Sequence, residues 1–393
     1  MEFFERKNKP RNTLVIGGAG AGKTYSYVIP RLLEADCSCV IHDPFGEILE
    51  NTGDLLKEKD YDIRVLDLRF TGEKSEYLRH YNPFVYAEGE VNGCTMVDTI
   101  LTATEDPDNK YAGVTQFVKA EFYLLRALMI YFISEYEPKD RNLTNLAKVF
   151  QGNSGDSLEY LDKIFTGLEE KTTDHFAVKM YKNFKENAGK EVKAVVLSCA
   201  VRLSRFRTKA VQELTSEDDI DLYSVPLKKT ALFVISNPFE RSYDAIVSQL
   251  LWNLIIVTRP MGCGKSRKEL PIHFILDEFP GLWGFAKGFP PNMVSFLSQN
   301  KKCRFSFVVQ SLYQLKNMYP EDWEKFVGNC DEIHYYGGND NMTHEHISKL
   351  SGGKVTVKEL HFMDRNKYLI LRKCIFGRGY SAKYIPKKRW EKK

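Results

Sequence analysis

The strongest structural signal in this chain is the stretch Leu14-Val15-Ile16-Gly17-Gly18-Ala19-Gly20-Ala21-Gly22-Lys23-Thr24. It joins a short apolar run to a glycine-rich turn and then to a Lys-Thr pair that opens a helical pattern. The spacing matches the phosphate-loop pattern G-x-x-x-x-G-K-[ST]. Small residues let backbone N–H groups turn inward around a polyphosphate, and the following helix points its positive dipole end at the same place. We therefore predict a nucleotide site made of Gly17, Gly18, Ala19, Gly20, Ala21, Gly22, Lys23 and Thr24.

Two side chains of this loop and two downstream carboxylates have separate predicted roles. Lys23 would reach the β- and γ-phosphates of ATP, and the Thr24 hydroxyl would complete a Mg²⁺ shell. The apolar run 271–276 ends in Asp277 and Glu278. We predict that Asp277 holds Mg²⁺, directly or through water, and that Glu278 polarises the attacking water. The alternative is that acids simply favour the start of a helix.

A polar amide follows the next apolar strand. Residues 304–309 are predicted to form a buried strand that ends in Gln310 and Ser311. An amide at the tip of a strand beside the acidic pair can hydrogen-bond the γ-phosphate or the attacking water. We predict that Gln310 joins Glu278 and Lys23 in catalysis and reports hydrolysis to the following loop. A helix-capping pair is the alternative interpretation.

Strands that alternate with helical segments predict an α/β fold with a mostly parallel twisted sheet. Near the end of the chain we expect a short surface helix at 343–350, capped by Thr343 and carrying His344, and an antiparallel ribbon of 355–359 with 367–372. From about residue 116 to 216 the pattern becomes helical throughout, which indicates an inserted all-α domain. The predicted division is a nucleotide-binding domain in two parts, 1–112 and 218–393, with the all-α insertion at 113–217. One face of this insertion carries Arg202, Arg205 and Lys209; it either contacts DNA or an acidic protein or is a solvated surface.

The composition limits the class of protein without naming a partner. A formal net charge of +4 on 393 residues neither demands nor excludes a polyanionic partner. The longest apolar runs, 122–133 and 250–257, fall short of the roughly 18 residues that a bilayer span needs. Eight scattered cysteines indicate reduced thiols. We expect a soluble, cytosolic chain, whose basic tail at 387–393 touches DNA or an anionic membrane surface or is simply solvated.

The order of the motifs resembles that of the conjugative coupling proteins of type IV secretion, the TraG/TraD-type ATPases. The pieces that carry the resemblance are residues 17–24, Asp43-Pro44-Phe45-Gly46-Glu47, Tyr81-Asn82-Pro83-Phe84, Thr215-Ser216-Glu217-Asp218-Asp219, Leu276-Asp277-Glu278-Phe279-Pro280-Gly281 and Val309-Gln310-Ser311-Leu312-Tyr313-Gln314-Leu315. The resemblance implies a RecA-like P-loop NTPase fold and a homo-hexameric motor. Such a motor uses ATP and Mg²⁺, engages single-stranded DNA bound to a relaxase, and passes it to secretion-channel proteins.

Two features of the chain depart from this family, and a third residue that the family's mechanism requires has to be located. Phe45 stands where family members usually carry Lys. The family's N-terminal transmembrane hairpin is missing from the sequence, so we expect attachment to the cytoplasmic side of the membrane through a segment not present here, or a soluble variant. A ring motor also needs a cation that reaches the neighbour's nucleotide, and Arg304 or Lys301 are the candidates.

Two alternatives to a DNA-translocating ATPase stay open. One is a docking platform for secreted proteins in which nucleotide only sets assembly. The acidic pair argues against it, because a scaffold has no use for a hydrolytic base. The other is a different DNA pump of the same fold, for chromosome segregation or virus packaging. The large helical insertion disfavours that interpretation.

Overall fold

The chain forms two compact units, each built from separate segments of sequence. The first comprises Met1–Arg69, Tyr223–Phe239 and Pro260–Lys393, and the second comprises Phe70–Leu222 and Glu240–Arg259. The computed structural model describes residues 12–72, 75–104, 115–237, 243–258, 269–289, 303–374 and 379–391.

The predicted all-α insertion, residues 113–217, lies within the second unit, which begins earlier and includes a helix from later in the chain. Asn253 on the helix Asp244–Val257 donates hydrogen bonds to the Tyr81 hydroxyl at 2.8 Å and to the Pro83 carbonyl at 3.3 Å. These buried bonds attach the later helix to the segment that precedes residue 113. The predicted domains are consecutive in sequence because hydrophobic periodicity reports only local structure. The predicted bounds 1–112, 113–217 and 218–393 stay a prediction.

One sheet runs through the described part of the first unit. Its nine strands have the order β3-β4-β2-β5-β6-β1-β7-β8-β9. Strands β1 to β7 run parallel, whereas β8 is antiparallel to both β7 and β9. The predicted α/β fold with a mostly parallel sheet is confirmed. The strands are β1 (Asn12–Ile16), β2 (Ser38–His42), β3 (Asp62–Asp67), β4 (Thr230–Ile235), β5 (Ile272–Leu276), β6 (Cys303–Val309), β7 (Glu332–Tyr335), β8 (Lys367–Lys373) and β9 (Tyr380–Pro386).

The core of this unit lies along the central strands. Every residue of β1, β2, β4 and β5 is buried. Strands covered on both faces read as continuous apolar runs rather than as alternating patterns. A ligand site is expected at the edge where the carboxyl ends of these parallel strands meet.

Helices connect the strands of the first unit, and one of them lies where the sequence predicted a strand. The sequence predicted a ribbon of residues 355–359 with 367–372, but Val357–His361 is a helix whose capping box joins Thr356 and Glu359. Strand β8 pairs with β7 and β9 instead. The helices are a π-helical turn Thr24–Val28 continuing into Ile29–Leu33, then Glu47–Lys57, Trp283–Gly288, Leu312–Met318, Trp323–Gly328, Asn341–Leu350 and Val357–His361.

The helices and strands that the structure describes in the second unit are all helices, joined by loops. None of the helices in the described ranges combines the length and apolarity that crossing a bilayer requires. The helices are Gly89–Ala103, Gln116–Glu135, Leu143–Ala147, Ser154–Lys171, Phe176–Ala188, Val192–Ser204, Lys209–Thr215 and Asp244–Val257.

A buried ion pair lies inside this helical unit. Arg202 donates to both carboxylate oxygens of Glu121 at 3.1 Å and to the Thr104 hydroxyl at 2.9 Å. Glu121 is only 1% exposed, and the Ser198 hydroxyl donates a further bond to the same carboxylate. The sequence placed Arg202 on a face that either contacts DNA or an acidic protein or is solvated, whereas the structure directs its guanidinium to the buried charge of Glu121. Lys209 remains at the surface, 3.6 Å from Glu213.

Candidate functional site

The predicted site residues meet at one edge of the sheet. The phosphate loop follows β1, the acidic pair follows β5, and Gln310 follows β6, which lies between those two strands. Because these strands are parallel, their carboxyl ends share one edge. The sheet therefore brings together residues that are more than 250 positions apart in sequence, such as Thr24 and Asp277.

The phosphate loop needs its glycines for space and for backbone conformation. A Cβ on Gly17 would lie 2.8 Å from the Tyr336 Cβ, so a larger residue would displace the backbone that directly follows β7. Gly20 and Gly22 have φ of 69° and 87°, a region that side chains disfavour. The N–H groups of Gly17 and Gly18 donate to Val309 and Gly337 carbonyls at 3.1 and 2.9 Å. Strands on both sides thus fix the start of the loop.

Lys23 lies inside the loop and contacts the loop's own backbone. Its Nζ donates to the Gly17 carbonyl at 2.6 Å and to the Gly18 carbonyl at 3.1 Å, and the residue is 7% exposed. Burial lowers the pKa of Lys23, while Glu278 and Asp277 act in the opposite direction. In the part of the chain that the structure describes, the hydrogen-bond partners of this buried ammonium are neutral carbonyls, and a bound anion would interact with it more strongly.

Thr24 and Asp277 provide two hard oxygen ligands side by side. The Thr24 hydroxyl donates to Asp277 Oδ2 at 3.2 Å, and Asp277 is 5% exposed. Burial, followed by repulsion from Glu278, raises the pKa of Asp277 to about 7. A hydroxyl beside a poorly solvated carboxylate fits Mg²⁺, which is usually held by one or two protein oxygens together with phosphate and water. The residues present therefore fit the predicted metal.

Glu278 has an unusual backbone conformation and a direct contact with Gln310. Its φ and ψ are both 48°, in the left-handed region that non-glycine residues rarely adopt. Gln310 Nε2 donates to Glu278 Oε2 at 3.2 Å. Strained backbone of this kind persists where the surrounding structure fixes it, and it is concentrated at functional sites. The structure thus joins the predicted base and the predicted sensor side chain.

His42 is a site residue that the sequence did not predict. Its Nδ1 bonds the Asp277 carbonyl, and its Nε2 lies 2.8 Å from the Ser236 hydroxyl. Burial lowers the pKa of His42 to about 4, so the ring is neutral. Since a carbonyl only accepts, Nδ1 carries the hydrogen and Nε2 accepts from Ser236. Only the pairing of β2 with β5 reveals this contact, so no local motif could have shown it.

The motif Asp43-Pro44-Phe45-Gly46-Glu47 connects β2 to the helix Glu47–Lys57. Asp43 is fully buried and accepts a hydrogen bond from the Leu49 N–H at 2.9 Å. Burial raises its pKa to about 6. Phe45 is 56% exposed, and its carbonyl accepts from Arg69 Nη1 at 3.1 Å. The carboxylate of this motif therefore orders the start of a helix, and a guanidinium lies at the Phe45 backbone.

A second loop connects the Gln310 region to the phosphate loop. The Leu312 N–H donates to the Thr343 hydroxyl at 2.9 Å, and Thr343 in turn bonds Asp340. Asp340, not Thr343 as predicted, caps the helix Asn341–Leu350. His344 is buried and lies 2.7 Å from the Tyr335 hydroxyl, although its sequence suggested a surface helix. This loop carries the Gly337 carbonyl that holds Gly18, so the two regions are joined through backbone.

The candidate trans-acting cations lie away from this edge or outside the described residues. Arg304 is the second residue of β6, at the opposite end of the strand from Gln310. The intervening strand spans roughly 20 Å, so Arg304 does not reach the site of its own chain. Lys301 lies outside the described residues. The trans-acting role of either residue stays a prediction.

Comparison with known proteins agrees with this geometry. The family model described as "Type IV secretory system Conjugative DNA transfer" matches residues 2–367. Protein VirD4 of Rhizobium rhizogenes is 23% identical over 347 residues, which cover 87% of this chain and 49% of the relative. Conjugal transfer protein TraG of Escherichia coli is 24% identical over 381 residues, which cover 91% of this chain and 57% of the relative.

A solved structure has the same fold. Plasmid coupling protein TrwB in complex with a non-hydrolysable ATP analogue aligns with a TM-score of 0.68 at 16% identity, covering 98% of this chain and 86% of TrwB. This likeness confirms the predicted RecA-like P-loop NTPase fold with an added helical domain. The chain spans only about half the length of the curated relatives that it matches, 49% and 57%.

Proposed function

Because the chain belongs to the type IV secretory system conjugative DNA transfer family, we propose that it is an ATP-driven coupling protein. It recruits single-stranded DNA bound to a relaxase and delivers it to a type IV secretion channel during conjugation. It acts as a homo-hexamer at the cytoplasmic side of the bacterial membrane. The names of two similar proteins support this role, since TraG is a conjugal transfer protein and TrwB is a plasmid coupling protein.

One observation carries the proposal. A buried lysine, a threonine hydroxyl and two consecutive carboxylates converge at the carboxyl ends of parallel strands, with Thr24 and Asp277 3.2 Å apart. Lys23 interacts electrostatically with both Asp277 and Glu278. A scaffold that only bound nucleotide would not need a second acid held in a strained backbone beside Gln310. The combination supports hydrolysis.

Each side chain of the site would have a separate role in ATP hydrolysis. Lys23 leaves the Gly17 and Gly18 carbonyls and binds the β- and γ-phosphates, while backbone N–H groups of the loop surround the phosphate chain. Thr24 and Asp277 would hold Mg²⁺, which supplies neutralisation of phosphate charge. Glu278 orients the attacking water and accepts its proton, and Gln310 holds the Glu278 carboxylate in place.

The positioning of Asp277 depends on residues behind it. His42 donates to the Asp277 carbonyl, and this fixes the backbone just before the strained Glu278. The Glu278 N–H donates to Asp277 Oδ1 at 3.0 Å, which directs the other oxygen toward Thr24. The two acids therefore face different partners although they are neighbours in sequence.

The proposal is tested by the rate of ATP hydrolysis as a function of single-stranded DNA concentration, with sedimentation in parallel. We expect DNA to raise the rate and to favour a larger assembly. In Glu278→Gln both basal and DNA-stimulated hydrolysis should vanish while nucleotide binding persists. Retained hydrolysis in that variant would remove Glu278 from its role.

The same experiment separates the alternatives. A hydrolysis rate that does not respond to DNA, together with binding of secreted proteins by the helical unit, would favour a docking platform. Stimulation by double-stranded DNA alone would favour a segregation or packaging pump. The electrostatic grip of a translocase on DNA backbone should also weaken as salt rises.

A further inference from the structure

The chain segment that follows β9 folds back onto the phosphate loop. Lys387 Nζ donates to the carbonyl of Ala21 at 3.2 Å and to the carbonyl of Tyr336 at 3.1 Å. The Lys387 N–H donates to the Asn366 carbonyl at 2.7 Å, which fixes the start of the segment beside the turn before β8. A side chain from far along the sequence thus bonds a residue inside the loop.

Two further contacts extend this attachment to the first turn after the loop. The Trp390 N–H donates to the Tyr25 carbonyl at 3.0 Å, and the Arg389 guanidinium lies 5.0 Å from the centre of the Tyr25 ring. Tyr25 directly follows Thr24. We call residues 387–390 the clamp segment. These residues lie beyond residue 367, where the match to the family model ends.

The sequence treated this basic segment as a DNA contact, a membrane contact or a solvated tail. In the structure Lys387 is half-buried over the Tyr336 ring, with Nζ 5.4 Å from the ring centre, so its side chain is not simply solvated. The DNA and membrane contacts of the segment stay predictions. Burial lowers the pKa of Lys387, while Asp364 opposes this shift. Its neighbour Lys388 is exposed. The segment therefore contains one lysine directed at the loop and one directed at solvent.

The backbone of the loop explains why Ala21 offers its carbonyl to Lys387. Ala21 lies between Gly20 and Gly22, both of which have positive φ. Such alternation turns successive N–H groups toward a common centre and leaves carbonyls to face outward. Lys23 bonds the Gly17 and Gly18 carbonyls at 2.6 and 3.1 Å. Two ammonium groups thus bond different carbonyls of one loop.

We propose that Lys387 is a positioning residue for nucleotide, holding the phosphate loop from outside through Ala21 while Lys23 changes partners inside it. The inference rests on the proposed function, since it concerns the same nucleotide site. When Lys23 moves to the phosphates, the Gly17 and Gly18 carbonyls lose their ammonium. The Lys387 bridge to Tyr336 then keeps the loop in its receptive shape, so ordering the loop no longer opposes binding.

The test uses the full chain with Mg²⁺ and ADP as the binding probe and ATP as the substrate. Lys387→Met removes both hydrogen bonds while keeping the length of the side chain, Lys387→Arg keeps the donors, and Lys388→Met is the matched control. We expect Lys387→Met to raise the ADP dissociation constant and the KM for ATP about five- to tenfold. The value of kcat should change less than about twofold, because the bridge does not touch the reacting atoms.

A second measurement needs no nucleotide. Backbone hydrogen exchange across residues 17–24 should accelerate in Lys387→Met and remain as in the wild type in Lys387→Arg and Lys388→Met. Wild-type affinity in Lys387→Met, or equal losses in Lys387→Met and Lys388→Met, would overturn this inference alone. A wild-type chain that fails to bind ADP would overturn the proposed function and the inference with it.

Discussion

The two units of this molecule each bury a carboxylate, and they treat it in opposite ways. In the helical unit, Glu121 receives two bonds from Arg202 and one from Ser198, and the charge is compensated within the fold. At the edge of the sheet, Asp277 is nearly as buried but receives one hydroxyl bond at 3.2 Å from Thr24 and one from the Glu278 backbone. The nearby Lys23 bonds carbonyls instead.

The difference teaches how to separate a structural charge from a functional one. A compensated buried ion pair can be replaced by packed apolar residues at little cost, whereas an uncompensated buried charge destabilises the fold. A protein keeps such a charge where binding of a ligand compensates it. The raised pKa of Asp277 is consistent with this incomplete compensation, and the main cause of the raised pKa is burial.

The largest effect is expected from removing the cation at the sheet edge. Lys23→Ala should weaken ATP hydrolysis about 10²–10³-fold, the usual effect of losing one donor that acts on developing charge. Circular dichroism should stay close to that of the wild type, because the hydrogen bonds of Lys23 to described residues go to carbonyls of the loop. A stable variant with normal hydrolysis would contradict a functional role for Lys23.

Removing the cation in the helical unit should give the opposite pattern. Arg202→Ala leaves Glu121 buried without its partner and should destabilise this unit by about 3 kcal/mol. Thermal unfolding measures this effect, and ADP affinity measured below the transition should not change. Lys209→Ala is the matched control, because its exposed pair with Glu213 contributes at most ~1 kcal/mol.

The double variant Glu121→Leu with Arg202→Met removes both charges of the buried pair at once. It should recover most of the stability lost in Arg202→Ala, because apolar side chains of similar size avoid the buried charge. Continued instability would show that the pair does more than compensate charge.

Neutralising the acid at the sheet edge should stabilise the nucleotide-free protein. The folded-state pKa of Asp277 is raised to about 7, so its contribution to stability is present at low pH and is lost as pH rises through about 7. Asp277→Asn should therefore be more stable than the wild type at pH 8, by about 1–2 kcal/mol. At pH 5 the difference should be smaller, because folded Asp277 is then protonated while an unfolded aspartate, with a pKa of about 3.9, is still mostly ionised. The difference should disappear only below about pH 4.

Thermal unfolding at the two pH values tests this sign. Thr24→Val is a useful comparison, because it removes the hydroxyl bond to Asp277 without removing the charge. It should not stabilise the protein at pH 8. Equal melting temperatures of Asp277→Asn and the wild type at pH 8 would mean that the buried carboxylate is compensated after all.

The smallest effect is expected from the loop behind the phosphate loop. Asp340→Ala removes the cap of the helix Asn341–Leu350 and the partner of Thr343, which should cost about 1 kcal/mol. ADP affinity should fall by less than about threefold, because Gly18 still bonds the Gly337 backbone. Asn339→Ala, an exposed neighbour, is the control and should change neither quantity.

The sequence predicted the parts of the site that depend on local pattern. The phosphate loop, the acidic pair after β5 and the amide after β6 each follow a buried strand, and parallel pairing places such positions at one edge. Strand burial made these runs continuous and therefore easy to recognise. The family resemblance then gave the correct fold class and family.

The sequence could not predict the features that depend on distant pairing. His42 acts on Asp277 only because β2 pairs with β5, and Lys387 reaches Ala21 only because the chain returns after β9. Arg202 looked like a surface cation because helical periodicity does not show which neighbouring helix supplies Glu121. The helix at Val357–His361 was missed although its capping box, Thr356 to Glu359, was a readable local signal.

The central claim is that the incompletely compensated charge at the sheet edge exists to bind a metal-bound nucleotide. Calorimetric titration of ADP, with and without Mg²⁺, into the wild type and Asp277→Asn tests it most directly. We predict that Mg²⁺ tightens ADP binding to the wild type by about tenfold or more, and to Asp277→Asn by less than about twofold. An equal Mg²⁺ effect in both proteins would contradict the claim.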